Sequence, residues 1–245
     1  MIRVISLPTS NLRKQVEKQL EGMPYKFFDA CVLKDREHTF NFAKAKEKYK
    51  RDIRLAEAGC SISHMSVYKE LIANNEEFAF VFEDDVLVED KHALTNLYYN
   101  YEANDEPQII LLGHSKTRKK DLWLQRLKQP LSGVVKINSI TFGSNDRISF
   151  CGAVGYVINK NAAEIILKES VPYWIADDWS VFNRLGIKIL HAKYPLVYED
   201  LKTESTTDNE IMFNHSLTKE PLRQILSIVK SQIIRLLSNI YEKKN

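Results

Sequence analysis

Short apolar runs and helix-period segments alternate along the first half of the chain. Arg3 to Leu7 reads as a first strand, stopped by Pro8. Ser10 is placed to cap a helix over residues 11–20, where Leu12, Val16 and Leu20 share one face. Gly22 and Pro24 end it, and Tyr25 to Ala30 forms a second short strand. A β-α-β opening favours a parallel α/β sheet. Residues 34–54 are polar and heavily charged, and read as loop and helix of open course. Leu55 to Asn74 is a clearer helix, striped by Ile62, Met65, Tyr68 and Ile72. Gly59 inside it costs about 1 kcal/mol relative to alanine, which marks a close approach by the sheet or a ligand.

The run Phe78-Ala79-Phe80-Val81-Phe82 is continuous rather than alternating, as in a strand buried on both faces. It ends abruptly in Glu83-Asp84-Asp85. Three adjacent carboxylates repel one another, and a hard divalent cation would remove that cost. A metal–phosphate site at a strand end is one reading; an exposed acidic turn is the other.

Further on, Ile109 to Leu112, Cys151 to Ile158, Ile187 to Leu190 and Leu196 to Tyr198 read as strands, and residues 161–169 as a helix. Gly152 and Gly155 would admit a ligand or another backbone. Residues 114–130 carry Lys116, Arg118, Lys119, Lys120, Arg126 and Lys128 against Asp121 alone, a basic and exposed segment. Thr203 to Asp208 is a Ser/Thr-rich loop. From Pro221, Leu222, Ile225, Val229, Ile233, Leu236 and Ile240 recur every three or four residues. Residues 219–245 hold six Lys/Arg and two Glu, a net of +4. Such a basic amphipathic helix suits an anionic membrane surface, or packing on the domain or a partner.

Composition narrows the class. An apolar fraction of 44% and a charged fraction of 27% are ordinary for a soluble globular protein, and a formal charge of +3 implies no nucleic-acid partner. Cys31, Cys60 and Cys151 show no zinc spacing and read as reduced thiols of a cytoplasmic protein. The N-terminal apolar run is too short for a signal peptide, and no stretch reaches the ~20 apolar residues of a membrane span.

Two constellations carry possible chemistry beside the acidic strand end. Glu57, Ser61 and His64 share a helix face, and His64 is placed to bind a phosphate or orient a carboxylate, or to be a satisfied half-buried histidine. Nothing beside Cys60 would lower its pKa, so it reads as a small core residue rather than a nucleophile. Asp177 and Asp178 lie between Trp174 and Trp179. One of them is a candidate general base, the other a helix cap, and the tryptophans are candidates to stack on a sugar ring.

These stretches, in this order, resemble glycosyltransferase family 25: Val4-Ile5-Ser6-Leu7, Phe27-Phe28-Asp29-Ala30, Glu57-x-Gly59-Cys60-x-x-Ser63-His64, Phe82-Glu83-Asp84-Asp85-Val86, Gly155-Tyr156-Val157-Ile158 and Asp177-Asp178-Trp179. The resemblance spans roughly residues 2–205. It implies an α/β fold of the GT-A-like kind: a nucleotide-sugar-binding mixed sheet flanked by helices. The transferase domain is taken as residues 1–218, and the apolar periodicity makes residues 219–245 a separate C-terminal amphipathic helix. With no signal peptide or membrane span expected, the chain reads as a cytoplasmic enzyme, peripheral on the cytoplasmic face of the inner membrane if that helix lies on lipid rather than packing on protein. The reaction implied is an inverting, Mn²⁺- or Mg²⁺-dependent transfer of a hexose, galactose from UDP-galactose first, to a lipooligosaccharide acceptor. Glu83-Asp84-Asp85 would be the DxD-type motif, with Asp85 and Glu83 on the metal and Glu83 or Asp84 towards the ribose. Ser6, Leu7, Phe28, Asp29 and Ala30 would border the uridine, and Glu57 and His64 the diphosphate or the back of the acidic motif. Asp177 or Asp178 would be the base, and the basic segment 114–130 would face the acceptor. Two other classes remain: a catalytically inactive nucleotide-sugar-binding module, and a transferase using UDP-glucose, UDP-N-acetylglucosamine or a nucleotide-heptose. A nucleotidyltransferase is disfavoured, because no Gly-rich, Lys-bearing phosphate loop lies near the N-terminus.

Overall fold

A computed structural model describes residues 1–36, 38–115, 117, 119–145, 152–201 and 221–242. In chain order the elements are β1 (Ile2–Ser6), α1 (Arg13–Gln19), β2 (Tyr25–Asp29), α2 (Phe42–Tyr49), α3 (Leu55–Ala73), β3 (Phe78–Glu83), β4 (Val86–Val88), α4 (Lys91–Asn100), β5 (Gln108–Leu111) and β6 (Gly113–His114). Then come α5 (Leu122–Lys128), β7 (Ser132–Ile137), β8 (Ile140–Ser144), β9 (Gly155–Asn159), α6 (Lys160–Leu167), α7 (Trp179–Arg184), β10 (Lys188–Ala192), β11 (Val197–Glu199) and α8 (Pro221–Glu242).

Eight strands form one mixed sheet in the order β2-β1-β3-β9-β5-β10-β8-β7, and β4, β11 and β6 form a small second sheet. The expected mixed sheet flanked by helices is therefore present. Its first three strands are parallel, as the β-α-β opening requires. The parallel run stops at β3, where β9 enters antiparallel.

β3 explains why its sequence is apolar without alternation. Ala79 and Val81 pack on one side of the sheet with Val67, Tyr68 and Leu71 of α3 and Ala162, Ala163 and Ile166 of α6. Phe80 and Phe82 pack on the other with Val16 of α1, Leu20 just after it, and Leu94 and Leu97 of α4. Burying a strand on both faces removes any solvent side for polar residues. The chain can turn polar only where the strand leaves the core, and that is where Glu83 stands.

Trp174 and Trp179 belong to this core, 2% and 0% exposed. Their proposed stacking on a sugar ring is corrected on that ground: Trp179 packs edge-on to Tyr156 and Trp174 edge-on to Phe182, leaving no ring face for a ligand. The basic segment 114–130 carries a 3-10 turn at Lys119–Asp121 that leads into α5. Lys119 pairs with Glu89, while Lys116 and Arg118 lie outside the described residues, as do Cys151 and Thr203 to Asp208. No described helix is long and apolar enough to cross a membrane.

Candidate active site

The parallel register pairs Ser6 with Asp29 and Ile5 with Glu83, so β1, β2 and β3 end along one edge. The order β2-β1-β3 makes that edge a switch point, where the crevice beyond the strand ends receives ligands in open α/β sheets. Ser6 Oγ donates to Asp84 Oδ2 at 2.7 Å. Arg13, from the first turn of α1, donates to Asp29 Oδ1 at 2.5 Å, to Ser6 O at 3.0 Å and to Leu7 O at 3.1 Å. Ala30 N donates to Ser6 O at 2.9 Å. The structure thus gathers Ser6, Leu7, Asp29, Ala30 and Asp84 around Arg13. Phe28 packs beside them against the core. Arg13 drew no attention in the sequence, because a lone arginine on a charged helix carries no signal.

Asp85 lies just past the strand end, and its Oδ1 is buried with no hydrogen-bond partner. β11 pairs antiparallel with β4 and sets Glu199 opposite Val86, beside Asp85. Burial first, then the charges of Glu83, Glu199 and Asp84, push the Asp85 carboxyl well above its ordinary value. Burial, then Glu199 and Asp177, raise Glu83 to about 8. An orphaned buried carboxylate oxygen amid converging acids is a hard, oxygen-rich donor set, and it fits Mn²⁺ or Mg²⁺. Glu199 was missed in the sequence because it is far from the acidic motif along the chain and is brought there only by the second sheet.

Behind Glu83 lies α3. Its residues Cys60 and His64, one helical turn apart, both face that carboxylate: Cys60 Sγ is 3.7 Å and His64 Nε2 3.4 Å from Glu83 Oε1. His64 Nδ1 is 2.7 Å from Tyr156 Oη, which is 2.7 Å from Tyr68 Oη. Burial lowers the His64 pKa to about 4, so the ring is neutral at physiological pH. The same burial, with Glu83 next, keeps the Cys60 thiol protonated. Gly59 is required one residue earlier: a Cβ there would stand 2.5 Å from the Cys31 carbonyl oxygen. The close approach read from that glycine is thus to the chain at Cys31.

Glu57, by contrast, serves the start of α3. It accepts from the Arg54 backbone N–H at 3.0 Å and pairs with Arg51 at 2.6 Å. It shares the helix with His64, not the acidic cluster's contacts. The two aspartates after Ala176 also separate. Asp178 accepts from Tyr49 Oη at 2.7 Å and Ser180 Oγ at 2.5 Å, and pairs with Lys48 at 3.1 Å. Burial alone would raise its pKa, but these donors outweigh it and hold the carboxyl below its ordinary value. Asp178 stands at the N-terminus of α7 without capping it by its side chain. Asp177 turns the other way: its Oδ2 accepts from Gly152 N at 2.6 Å, and its charge is felt at Glu83, Cys60 and His64.

The sequence profile of glycosyltransferase family 25 (LPS biosynthesis protein) matches residues 1–181. A Haemophilus influenzae protein carrying the provisional name of glycosyltransferase is 26% identical over 188 residues, covering 74% of this chain and 62% of that protein. The lipooligosaccharide biosynthesis protein lic2B of Haemophilus influenzae is 24% identical, covering 98% of this chain and 94% of its own. Among solved structures, A197 from STIV superposes with a TM-score of 0.44 at 10% identity, covering 80% of this chain and 81% of that one. A glycosyltransferase involved in the glycosylation of the major capsid of PBCV-1 gives 0.39 at 10% identity, covering 82% and 93%.

Proposed function

The chain belongs to glycosyltransferase family 25, and we propose that it transfers a hexose, galactose from UDP-galactose first, to a lipooligosaccharide acceptor with inversion at the anomeric carbon. The observation that carries this reading is the buried, unpartnered Asp85 Oδ1 beside Glu83 and Glu199 at the end of β3. Those residues would hold Mn²⁺ or Mg²⁺. A cation bound there supplies charge neutralisation for the departing diphosphate.

The chain's own residues do the rest. Ser6, Leu7, Phe28, Asp29 and Ala30 border the uridine, on strand ends fixed by Arg13. Asp84, tethered by Ser6, faces the ribose. His64, neutral and buried, backs Glu83 rather than meeting the diphosphate. Glu57 supports that helix through Arg51 and Arg54. Asp177 is the base of choice, because the Asp178 carboxylate is occupied by three donors. Asp177 takes the proton of the acceptor hydroxyl as that oxygen attacks the anomeric carbon from the face opposite UDP. The carboxylates nearby stabilise the oxocarbenium-like charge of the transition state.

The proposed location is the cytoplasmic face of the inner membrane, with residues 1–218 as the transferase unit and α8 as its contact. On α8, Ile225, Val229 and Ile233 are each about half exposed, and Leu226 and Leu237 more so. Ser231 is buried and Gln232 donates to Leu127 O at 2.9 Å. The helix meets the domain through Ser231 and Gln232, with Ile228 and Ile234 half-buried, and turns Ile225, Leu226, Val229, Ile233 and Leu237 outward, with Lys230 exposed. A lipid surface with anionic headgroups matches that stripe and the local positive charge.

The test is a donor screen. Purified protein is incubated with UDP-galactose, UDP-glucose, UDP-N-acetylglucosamine or a nucleotide-heptose, plus Mn²⁺, and the nucleotide diphosphate released is measured. UDP release from UDP-galactose above the other donors is expected. Release with none of them, together with no thermal stabilisation by UDP and Mn²⁺, refutes the reading.

A further inference from the structure

We infer that Cys60, His64 and Glu83 form a second cation site, for a thiophilic divalent metal of the Zn²⁺ class, which shares Glu83 with the oxygen-only set around Asp85 but takes its other ligands from α3. The three donor atoms lie within 4.8 Å of one another. For tetrahedral zinc with its usual bond lengths, nitrogen and oxygen ligands stand about 3.3 Å apart, and sulfur and oxygen about 3.5 Å. The observed separations are 3.4 Å for His64 Nε2 to Glu83 Oε1 and 3.7 Å for Cys60 Sγ to the same oxygen. The two separations to Glu83 are thus already at ligand spacing, and Cys60 Sγ and His64 Nε2 lie within 4.8 Å of each other. Two of its members come from one face of α3 and the third from the end of β3, so rigid elements hold it.

The surroundings of His64 suit ligation. A ring that binds metal through Nε2 carries its proton on Nδ1 and needs an acceptor there. Tyr156 Oη lies 2.7 Å from Nδ1 and can accept there, while its own O–H donates to Tyr68 Oη at 2.7 Å. Three protein ligands leave the fourth tetrahedral position open. Sulfur and imidazole select a softer ion than carboxylates do. Glu83 belongs to both donor sets, so an ion held by Cys60 and His64 engages the carboxylate that the Mn²⁺ or Mg²⁺ site also uses. On binding, the Cys60 S–H bond breaks and the sulfur–metal bond forms; the thiol proton and, below about pH 8, the Glu83 proton pass to buffer.

The test uses the metal-free 245-residue chain with Co²⁺ alone, whose thiolate ligation gives a near-ultraviolet charge-transfer band. Neither donor nor acceptor is present, so the result is independent of the transfer reaction. The wild type and the Asp85→Asn variant should both show the band at one Co²⁺ per chain, and Zn²⁺ should bleach it. The Cys31→Ser/Cys151→Ser double variant should keep it, since Cys60 is then the sole thiol. Cys60→Ser should lose it, and Tyr156→Phe should weaken Co²⁺ binding about tenfold as a positioning residue. No band in the wild type at saturating Co²⁺, or a band that survives Cys60→Ser, overturns the site. If Cys60→Ser fails to fold, the double variant decides: loss of its band also overturns the site.

Discussion

Ser6 Oγ and Asp84 Oδ2, 78 positions apart in the chain, are joined by a 2.7 Å hydrogen bond across the ends of two parallel strands. The bond fixes one of three adjacent carboxylates by a neutral donor. It also links Asp84 to Arg13, whose Nε lies 3.2 Å from the same hydroxyl. The acidic turn is therefore anchored on its β1 side, while Asp85 on the other side is left without a donor at Oδ1.

Ser6→Ala should cost about 1.5–3 kcal/mol, the range for a hydrogen bond to a charged group. For a chain of this length that is a Tm lower by roughly 3–12 °C. The same variant should weaken donor binding, since Asp84 loses the contact that orients it. Thermal melts with and without UDP and Mn²⁺ measure both effects. An unchanged Tm would show that Asp84 is held by other contacts.

Acid crowding makes stability depend on pH in a definite direction. Glu83 is raised to about 8 and Asp85 is raised too, so above their unfolded values the folded state binds more protons than the unfolded one. Stability supplied by Glu83 is present below about 4.5 and is lost as pH rises through about 8, and Asp85 acts in the same direction. His64 and His191, both lowered by burial to about 4, act oppositely: their contribution is present above 6.5 and lost as pH falls through about 4. The pairs oppose each other between about 4.5 and 6.5. Above 6.5 only the acids act. Metal-free protein should therefore lose stability from pH 6.5 to 8, by at most about 1.4 kcal/mol per pH unit for each group titrating there, seen as a falling Tm. Glu83→Gln should flatten that slope, and Mn²⁺ should restore Tm most at pH 8.

The sequence carried the scaffold of this site better than its detail. The Phe78–Phe82 run announced a strand buried on both faces, because no polar residue survives there. Gly59 announced a close approach, because only a missing Cβ admits the Cys31 carbonyl. α4 was not legible: its only buried residues are Leu94 and Leu97, and its cap by Asp90 lies in a charged stretch. The β7–β8 hairpin was hidden as well, since its turn puts Asn138 and Ser139 in the left-handed region without a glycine. Glu199, Arg13 and the meeting of Cys60 with Glu83 depend on pairings between distant segments, which local patterns do not encode. The tryptophans were misread because aromatic rings beside carboxylates look alike in a sugar site and in a core.

The Asp177-Asp178 pair should divide under mutation. Asp177→Asn should lower kcat about 10²–10⁴-fold with little change in KM for the donor, as loss of a general base does. Asp178→Asn should instead lower Tm, because Tyr49, Lys48 and Ser180 lose a charged partner that joins α2 to the start of α7. Steady-state kinetics beside thermal melts separate the two. Equal kinetic losses without a stability change would refute the assignment of the base.

The outward stripe of α8 has an orientation that invites a direct test. A helix packed on its own domain ordinarily turns apolar residues inward, because burial is worth about 1.5–3 kcal/mol for each Leu, Ile or Val. Here Ile225, Val229 and Ile233 face out while Ser231 is buried. Trp123 and Leu127 of the neighbouring α5 are exposed as well. Sedimentation with vesicles containing anionic lipid should pull down the full chain, and neutral vesicles should pull down less. Raising salt should weaken the anionic component but leave the apolar one. The Ile225→Ser/Val229→Ser/Ile233→Ser variant should lose vesicle binding at least tenfold while melting no lower than the wild type, since these side chains support no core. If that variant instead converts a dimer to a monomer in light scattering and vesicle binding is absent throughout, the stripe is covered by a second copy of the chain and the membrane assignment fails.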